Sequence, residues 1–110
     1  MAKDKNKVRS EINDYIKVLN KHVRVNTVVL FGSWVNGMPS KYSDIDLAVF
    51  SEDFGKHKLK EFQLLSKLAW EIDPSIEAIP YSAEKLSDDD PTAFYNEILK
   101  KGETVYRRSF

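Results

Sequence analysis

A strand-like run, VRVNTVVLF from Val23 to Phe31, stops at Gly32-Ser33, and after the ten residues Trp34 to Ser43 comes Asp44-Ile45-Asp46, set against an alternating run. The first run is β-branched and aromatic, with an uninterrupted apolar second half, as a central strand covered on both sides requires. In the second, Ser43 to Phe50, period-two alternation sends Ile45, Leu47 and Val49 one way and Asp44, Asp46 and Ala48 the other. Between them Ser33 suits an N-cap, Gly37 a C′ glycine, and Pro39 follows, so Ser33 to Asn36 can hold little more than one helical turn. A polar turn, Ser40 to Tyr42, completes the link.

The flanking chain supplies covers for such a sheet. Val8, Ile12, Tyr15, Ile16 and Leu19 recur at helical spacing within Lys5 to Lys21. A second amphipathic helix is expected over Lys56 to Ile72, with the stripe Leu59, Phe62, Leu65, Leu68, Ala69 and Ile72, closed by Pro74. Ser75 to Tyr81 reads as a third strand, whose Pro80 suits a strand end or a sheet edge. Asp90 and Pro91 mark a helix start with Phe94, Ile98 and Leu99 inward and a stop near Gly102, before a short strand over Thr104 to Tyr106. The expectation is one domain, 1–110, of α/β (α+β) class: a small mixed sheet with flanking helices.

Charge and composition narrow the function classes. Seventeen Lys and Arg against seventeen Asp and Glu give no global basic field, so polymeric nucleic acid is disfavoured as a partner. Without cysteine there is no disulfide framework and no thiolate metal site. No apolar run approaches a membrane span, and the charged N-terminus leads into no signal-like segment. A soluble, cytoplasmic protein is expected.

The residues around the two strands point to phosphate and metal chemistry. A glycine at a strand end lets backbone approach a ligand closely, and Ser33 adds a hydroxyl donor beside the N–H groups of the following turn. Alone, that pair is as compatible with a simple strand-to-turn junction. Asp44 and Asp46, about 7 Å apart along a strand, suit hard divalent cations, although a lone Asp-x-Asp also suits a solvated strand face. Adjacency of the two strands would bring phosphate donors and cation ligands together. Chemistry at such a site needs a third carboxylate, and Glu77, facing away from Ile76 and Ala78, is the candidate. His22 and His57 have no partners at ligand spacing, and Lys56, Lys58, Lys60 and Lys67 read as a solvated helix face. Trp70 is expected in the core; Trp34 suits either the core or an exposed stacking position.

Gly32-Ser33, the ten-residue spacer, Asp44-Ile45-Asp46 and the later Glu77 together resemble the signature of the DNA polymerase β-type nucleotidyltransferase superfamily, and the length resembles its minimal members. The resemblance implies Mg2+-dependent transfer of AMP from ATP to a hydroxyl, with two ions held by Asp44, Asp46 and Glu77, Glu77 also acting as base, and Gly32 and Ser33 holding the β- and γ-phosphates. It further implies an antitoxin paired with a HEPN-type toxin, the acceptor being a tyrosine of that toxin. Three positions depart from the pattern: Trp34 and Asn36 stand where close relatives often carry Arg, and Glu77 where Asp is common. A non-catalytic antitoxin acting by contact and an aminoglycoside-type adenylyltransferase, with a small-molecule acceptor at a homo-oligomer interface, are the alternatives.

Overall fold

The computed structural model describes residues 5–36, 44–88 and 90–108, apart from the side chain of residue 36. Helices α1 (Lys5–Leu19), α2 (Ser33–Asn36), α3 (Lys58–Ile72) and α4 (Phe94–Lys101) alternate with strands β1 (Val25–Phe31), β2 (Ile45–Ser51), β3 (Ile76–Ser82) and β4 (Glu103–Arg107). A 3-10 turn, Ala83–Ser87, follows β3 and has no counterpart in the sequence reading. Gly37, Pro39 and the polar turn 40–42, together with Met38, Ser43 and Asp89, lie outside the described residues. No helix among the described residues is long and apolar enough to cross a membrane.

The four strands form one mixed sheet in the order β3-β2-β1-β4. β1 pairs antiparallel with both β2 and β4, and β2 runs parallel to β3. The two central strands are the ones with the longest apolar runs, because both of their faces are covered. β3 is an edge, which accommodates Pro80. A bulge between Val25 and Thr27 shifts the alternation of β1, so that Val25, Val28 and Leu30 all face one side.

That side carries the larger core. Val8, Ile12, Ile16 and Leu19 of α1 and Leu65, Leu68 and Ala69 of α3 close over Val28, Leu30, Ile45, Leu47 and Val49. Tyr15 joins them fully buried, its hydroxyl donating to the Leu65 carbonyl at 2.8 Å and so tying the two helices together. The opposite side has a smaller cluster, Val29, Ala48 and Phe50 under Ile98 of α4, with Tyr81 stacked on Phe50 at 5.3 Å. Among the described residues it is covered only in part.

Several expectations are corrected. Trp70 is 72% exposed rather than in the core, and Leu59 and Phe62, expected on the buried stripe of α3, are 70% and 49% exposed. Burial centres on Leu65, Leu68 and Ala69, and the helix is rotated so that Glu61 turns inward with them. Phe94 is 57% exposed, and α4 begins there rather than at Pro91. Asp90 instead closes a local turn, its Oδ1 accepting from the N–H of Thr92 at 3.0 Å, which delays the helix by one turn. Ser33 lies within α2 instead of capping it; the Gly32 carbonyl accepts the first bond, from Val35 at 3.0 Å.

α3 starts without a side-chain cap at His57, and Glu61 in its first turn fixes the loop that leads into it. Its carboxylate accepts from the N–H groups of Gly55, Lys56 and His57 at 3.0–3.3 Å, so the donors of the approach, the N-cap N–H among them, are satisfied. Burial pushes the Glu61 carboxyl up, but the three N–H groups and the nearby His57 ring more than offset this, leaving it below the ordinary glutamate value. Stability from this group is therefore present above the unfolded glutamate pKa and lost as pH falls through the depressed folded one. Glu61→Ala is expected to lower unfolding free energy by about 1–2 kcal/mol at neutral pH in urea titrations. The deficit should shrink on acidification; an undiminished deficit in acid would contradict the carboxylate's role.

Candidate active site

The site is assembled by strand register. Phe31, the last residue of β1, is paired with Asp46 of β2, which in turn is paired with Glu77 of β3. The chain leaving β1 at Gly32 therefore passes beside the Asp46 carboxylate, and Glu77 flanks it from the other strand. Because Ile45, Leu47 and Val49 pack into the larger core, period two turns Asp46 to the half-covered face of the sheet. Likewise Ile76 and Ala78 are buried while Glu77 is exposed. Asp44 immediately precedes β2 and is exposed, so it stands at the strand's mouth rather than on its ladder.

Gly32 has φ +79°, a conformation that side chains rarely adopt, and a Cβ there would run into Oδ2 of Asp46. The glycine is thus required twice: for the turn out of β1 and for the approach of the carboxylate. Burial pushes the Asp46 carboxyl above its ordinary value, and the neighbouring Glu77 and Asp44 carboxylates push it the same way. Three like charges act at one point, and a cation would relieve them.

The donors are all carboxylate oxygens, the chemistry of a hard divalent ion. Among the described residues no three Asp, Glu, His or Cys side chains are gathered closely enough to cage an ion by themselves. The donor set therefore fits an ion of the magnesium type, held by one or two carboxylates with the oxygens of a bound phosphate group.

The structure thus brings together Gly32, Asp46 and Glu77, with Asp44 within electrostatic reach and Ser33 next along the chain. Trp34 is excluded from the ligand surface: it is 7% exposed and belongs to the larger core. The sequence reading missed an aromatic wall on this face. Phe94 stands edge-on to Phe31, ring centroids 6.2 Å apart, and Phe31 is the cross-strand neighbour of Asp46. The signal was a Phe on an expected helix face, which periodicity alone assigns to the core.

Comparison with known proteins follows the same lines. The family model described as polymerase beta, nucleotidyltransferase, matches residues 13–110. A curated relative, the probable protein adenylyltransferase MntA of Haemophilus influenzae (strain ATCC 51907 / DSM 11121 / KW20 / Rd), is 39% identical over 71 residues, 60% of this chain and 62% of its own length. The match thus spans less than two thirds of that relative. A crystal structure of a nucleotidyltransferase-like protein from Sulfolobus solfataricus superposes with a TM-score of 0.71 at 13% identity, over 93% of this chain and 82% of that one. A structure of a tri-AMPylated Shewanella oneidensis HEPN toxin in complex with its MNT antitoxin gives 0.56 at 21% identity, over 92% and 73%. At these identities the two structures establish the fold.

Two substitutions test the geometry. Gly32→Ala is expected to destabilise by about 1–3 kcal/mol, since backbone strain and the clash with Asp46 add. Asp46→Asn is expected to do the opposite. A carboxyl raised in the folded state contributes stability present below the unfolded pKa and lost as pH rises through the folded one, so ionised Asp46 is a liability at neutral pH. Thermal melts of Asp46→Asn should therefore show a Tm higher by about 2–5 °C at neutral pH. The gain should fade as pH drops towards the ordinary aspartate range; a lower Tm at neutral pH would contradict the crowding of charge.

Proposed function

Because this chain belongs to the polymerase beta-type nucleotidyltransferase family, we propose that it transfers AMP from ATP to a hydroxyl of an acceptor, a tyrosine of a HEPN-type toxin that it thereby neutralises. The observation that carries this reading is the register that sets Gly32, Asp46 and Glu77 side by side across three strands. The names of the Haemophilus relative and of the Shewanella complex support AMP as the group moved and a HEPN toxin as its recipient.

In this reading Gly32 lets the Asp46 carboxylate close against the backbone where the β- and γ-phosphates would sit, and Ser33 donates its hydroxyl to a phosphate oxygen. Asp44, Asp46 and Glu77 would offer carboxylate oxygens to Mg2+, one or two to an ion, with phosphate oxygens completing its shell, and the bound ion would supply charge neutralisation at the α-phosphate and at the leaving pyrophosphate. Glu77 accepts the proton of the acceptor hydroxyl. The acceptor oxygen forms its bond to the α-phosphorus as the bridging bond to the β-phosphate breaks, and the electron pair leaves on pyrophosphate. Asp46 must be ionised to take the ion, and burial and its two neighbours favour its protonated form, so protons compete with Mg2+ and the Mg2+ concentration needed for activity should rise as pH drops.

One observation favours a second reading, an antitoxin that neutralises by contact alone. Position 34 carries a buried tryptophan, so this turn of α2 brings no cation there to the phosphates.

The two are separated by mixing the protein, the toxin, Mg2+ and ATP labelled at the α-phosphate. Label on the toxin tyrosine, reduced about a hundredfold or more in Asp44→Ala/Asp46→Ala, is the expected outcome. Neutralisation persisting in that double variant without label transfer would leave only the contact reading, and label on an added aminoglycoside instead would identify a small-molecule acceptor. Ser33→Ala should weaken ATP binding about tenfold by calorimetry with little change in Tm. Unchanged affinity would reduce Ser33 to a turn residue.

A further inference from the structure

The outward face of α3 is not what an amphipathic helix normally turns to water. Leu59, Phe62 and Trp70 are 70%, 49% and 72% exposed. With Ser66 they follow one another at spacings of three, four and four residues, which aligns them in one lane about 16 Å long. Ser66, small and half-buried, leaves the middle of the lane low enough for another backbone to approach. Exposed side chains of this size scattered singly are ordinary, but three aligned on one face of one helix mark an interaction site. At its N-terminal end Phe62 also walls a cleft of about 730 Å3 shared with Pro80 and Tyr81, deep enough to receive a bulky side chain.

Charge beside the lane is one-sided. Lys60 and Lys67, two turns apart and exposed, border it, and Lys58 lies at its start. Of the two glutamates of α3, Glu61 is turned inward onto the N–H groups of Gly55, Lys56 and His57, which leaves Glu71 alone on the outer surface.

We propose that this face docks an amphipathic helix of a partner protein, whose apolar stripe covers Leu59, Phe62 and Trp70 and whose bordering carboxylates pair with Lys60 and Lys67. The three-four-four spacing is that of a helix-on-helix seam. A second copy of this chain fits poorly as the occupant, because its α3 would bring lysines to lysines with a single glutamate to offset them. Trp70, the largest and most exposed of the three, is the anchor. α3 covers the face of the sheet opposite Asp46, so a helix held there leaves the candidate site open, and the acceptor hydroxyl comes from another part of the partner that reaches round the sheet.

The toxin named above as recipient serves as the probe, so the inference rests on that reading. In calorimetric titrations Leu59→Ala/Trp70→Ala should weaken toxin binding at least tenfold. Lys60→Glu/Lys67→Glu should weaken it more at low salt than at high salt. Mg-ATP affinity and the circular dichroism spectrum should be unchanged in both variants. Toxin affinity that is the same in wild type and in both variants would overturn the docking surface while leaving the adenylylation reading intact. Weakened docking with no transfer of label in the wild type would uphold the surface and remove the adenylylation. Self-association of the wild type that Trp70→Ala abolishes would assign the face to a second copy and overturn the proposal, as would a wild type that forms no complex with the toxin.

Discussion

β2 is hydrogen-bonded on both sides, antiparallel to β1 and parallel to β3, and the arrangement at the candidate site depends on that double pairing. A slip of one residue in either ladder would carry Asp46 from the half-covered face into the core that holds Ile45, Leu47 and Val49. The register is held against such a slip by those three residues, all fully buried, and by Ile76 and Ala78 on the neighbouring strand. Burial of apolar side chains on one face thus decides where a carboxylate stands on the other. Gly32 completes the constraint, since side chains rarely adopt φ +79° and a Cβ there would force the Asp46 carboxylate to shift.

The two faces of the sheet are covered unequally, and this separates stability from chemistry. α1 and α3, joined through Tyr15, seal one face with the larger cluster. Among the described residues, the other carries α4 and the 3-10 turn near the middle and far end of the strands, over Val29, Ala48 and Phe50. Asp46 and Glu77 collect on that face beyond this cluster, at the cost of a raised Asp46 carboxyl. Like charges held together against their preference are a feature of sites that await a cation or an ionised ligand. The outer side of α3 adds a second surface, remote from the first by the thickness of the sheet and one helix layer.

Much of this was legible in the residues themselves, for a physical reason that differs from place to place. The α1 stripe Val8, Ile12, Tyr15, Ile16 and Leu19 is buried as its spacing demands, because a helix with one apolar face has one way to pack. The edge position of β3 followed from Pro80, which cannot complete an interior ladder. α3 was misread because it has more apolar residues than one face can bury. Leu59 and Trp70 lie on one side and Leu65, Leu68 and Ala69 on another, and only the helix beside it and the sheet beneath select between them. Glu61 escaped notice as a cap because its partners, the N–H groups of residues 55 to 57, belong to a loop whose path no local pattern specifies. Phe94 illustrates the same limit: helical spacing marks it as inward, yet it opens α4 at the rim of the sheet, where it is 57% exposed and its contact with Phe31 covers it in part.

By itself the amino-acid order determined the elements, their sequence along the chain, and the grouping of Gly32, Ser33, Asp44, Asp46 and Glu77 as candidates, since periodicity, capping and residue chemistry are local properties. It also sufficed to suggest the nucleotidyltransferase family, which the match over residues 13–110 establishes. Only the tertiary structure decided that Glu77 pairs with Asp46, that Gly32 makes room for its carboxylate, that Trp34 is core and that Trp70 is surface. Those outcomes depend on which strand lies beside which and on how far each helix reaches. Such facts are set by packing between residues far apart in the chain, and a linear pattern carries no measure of them.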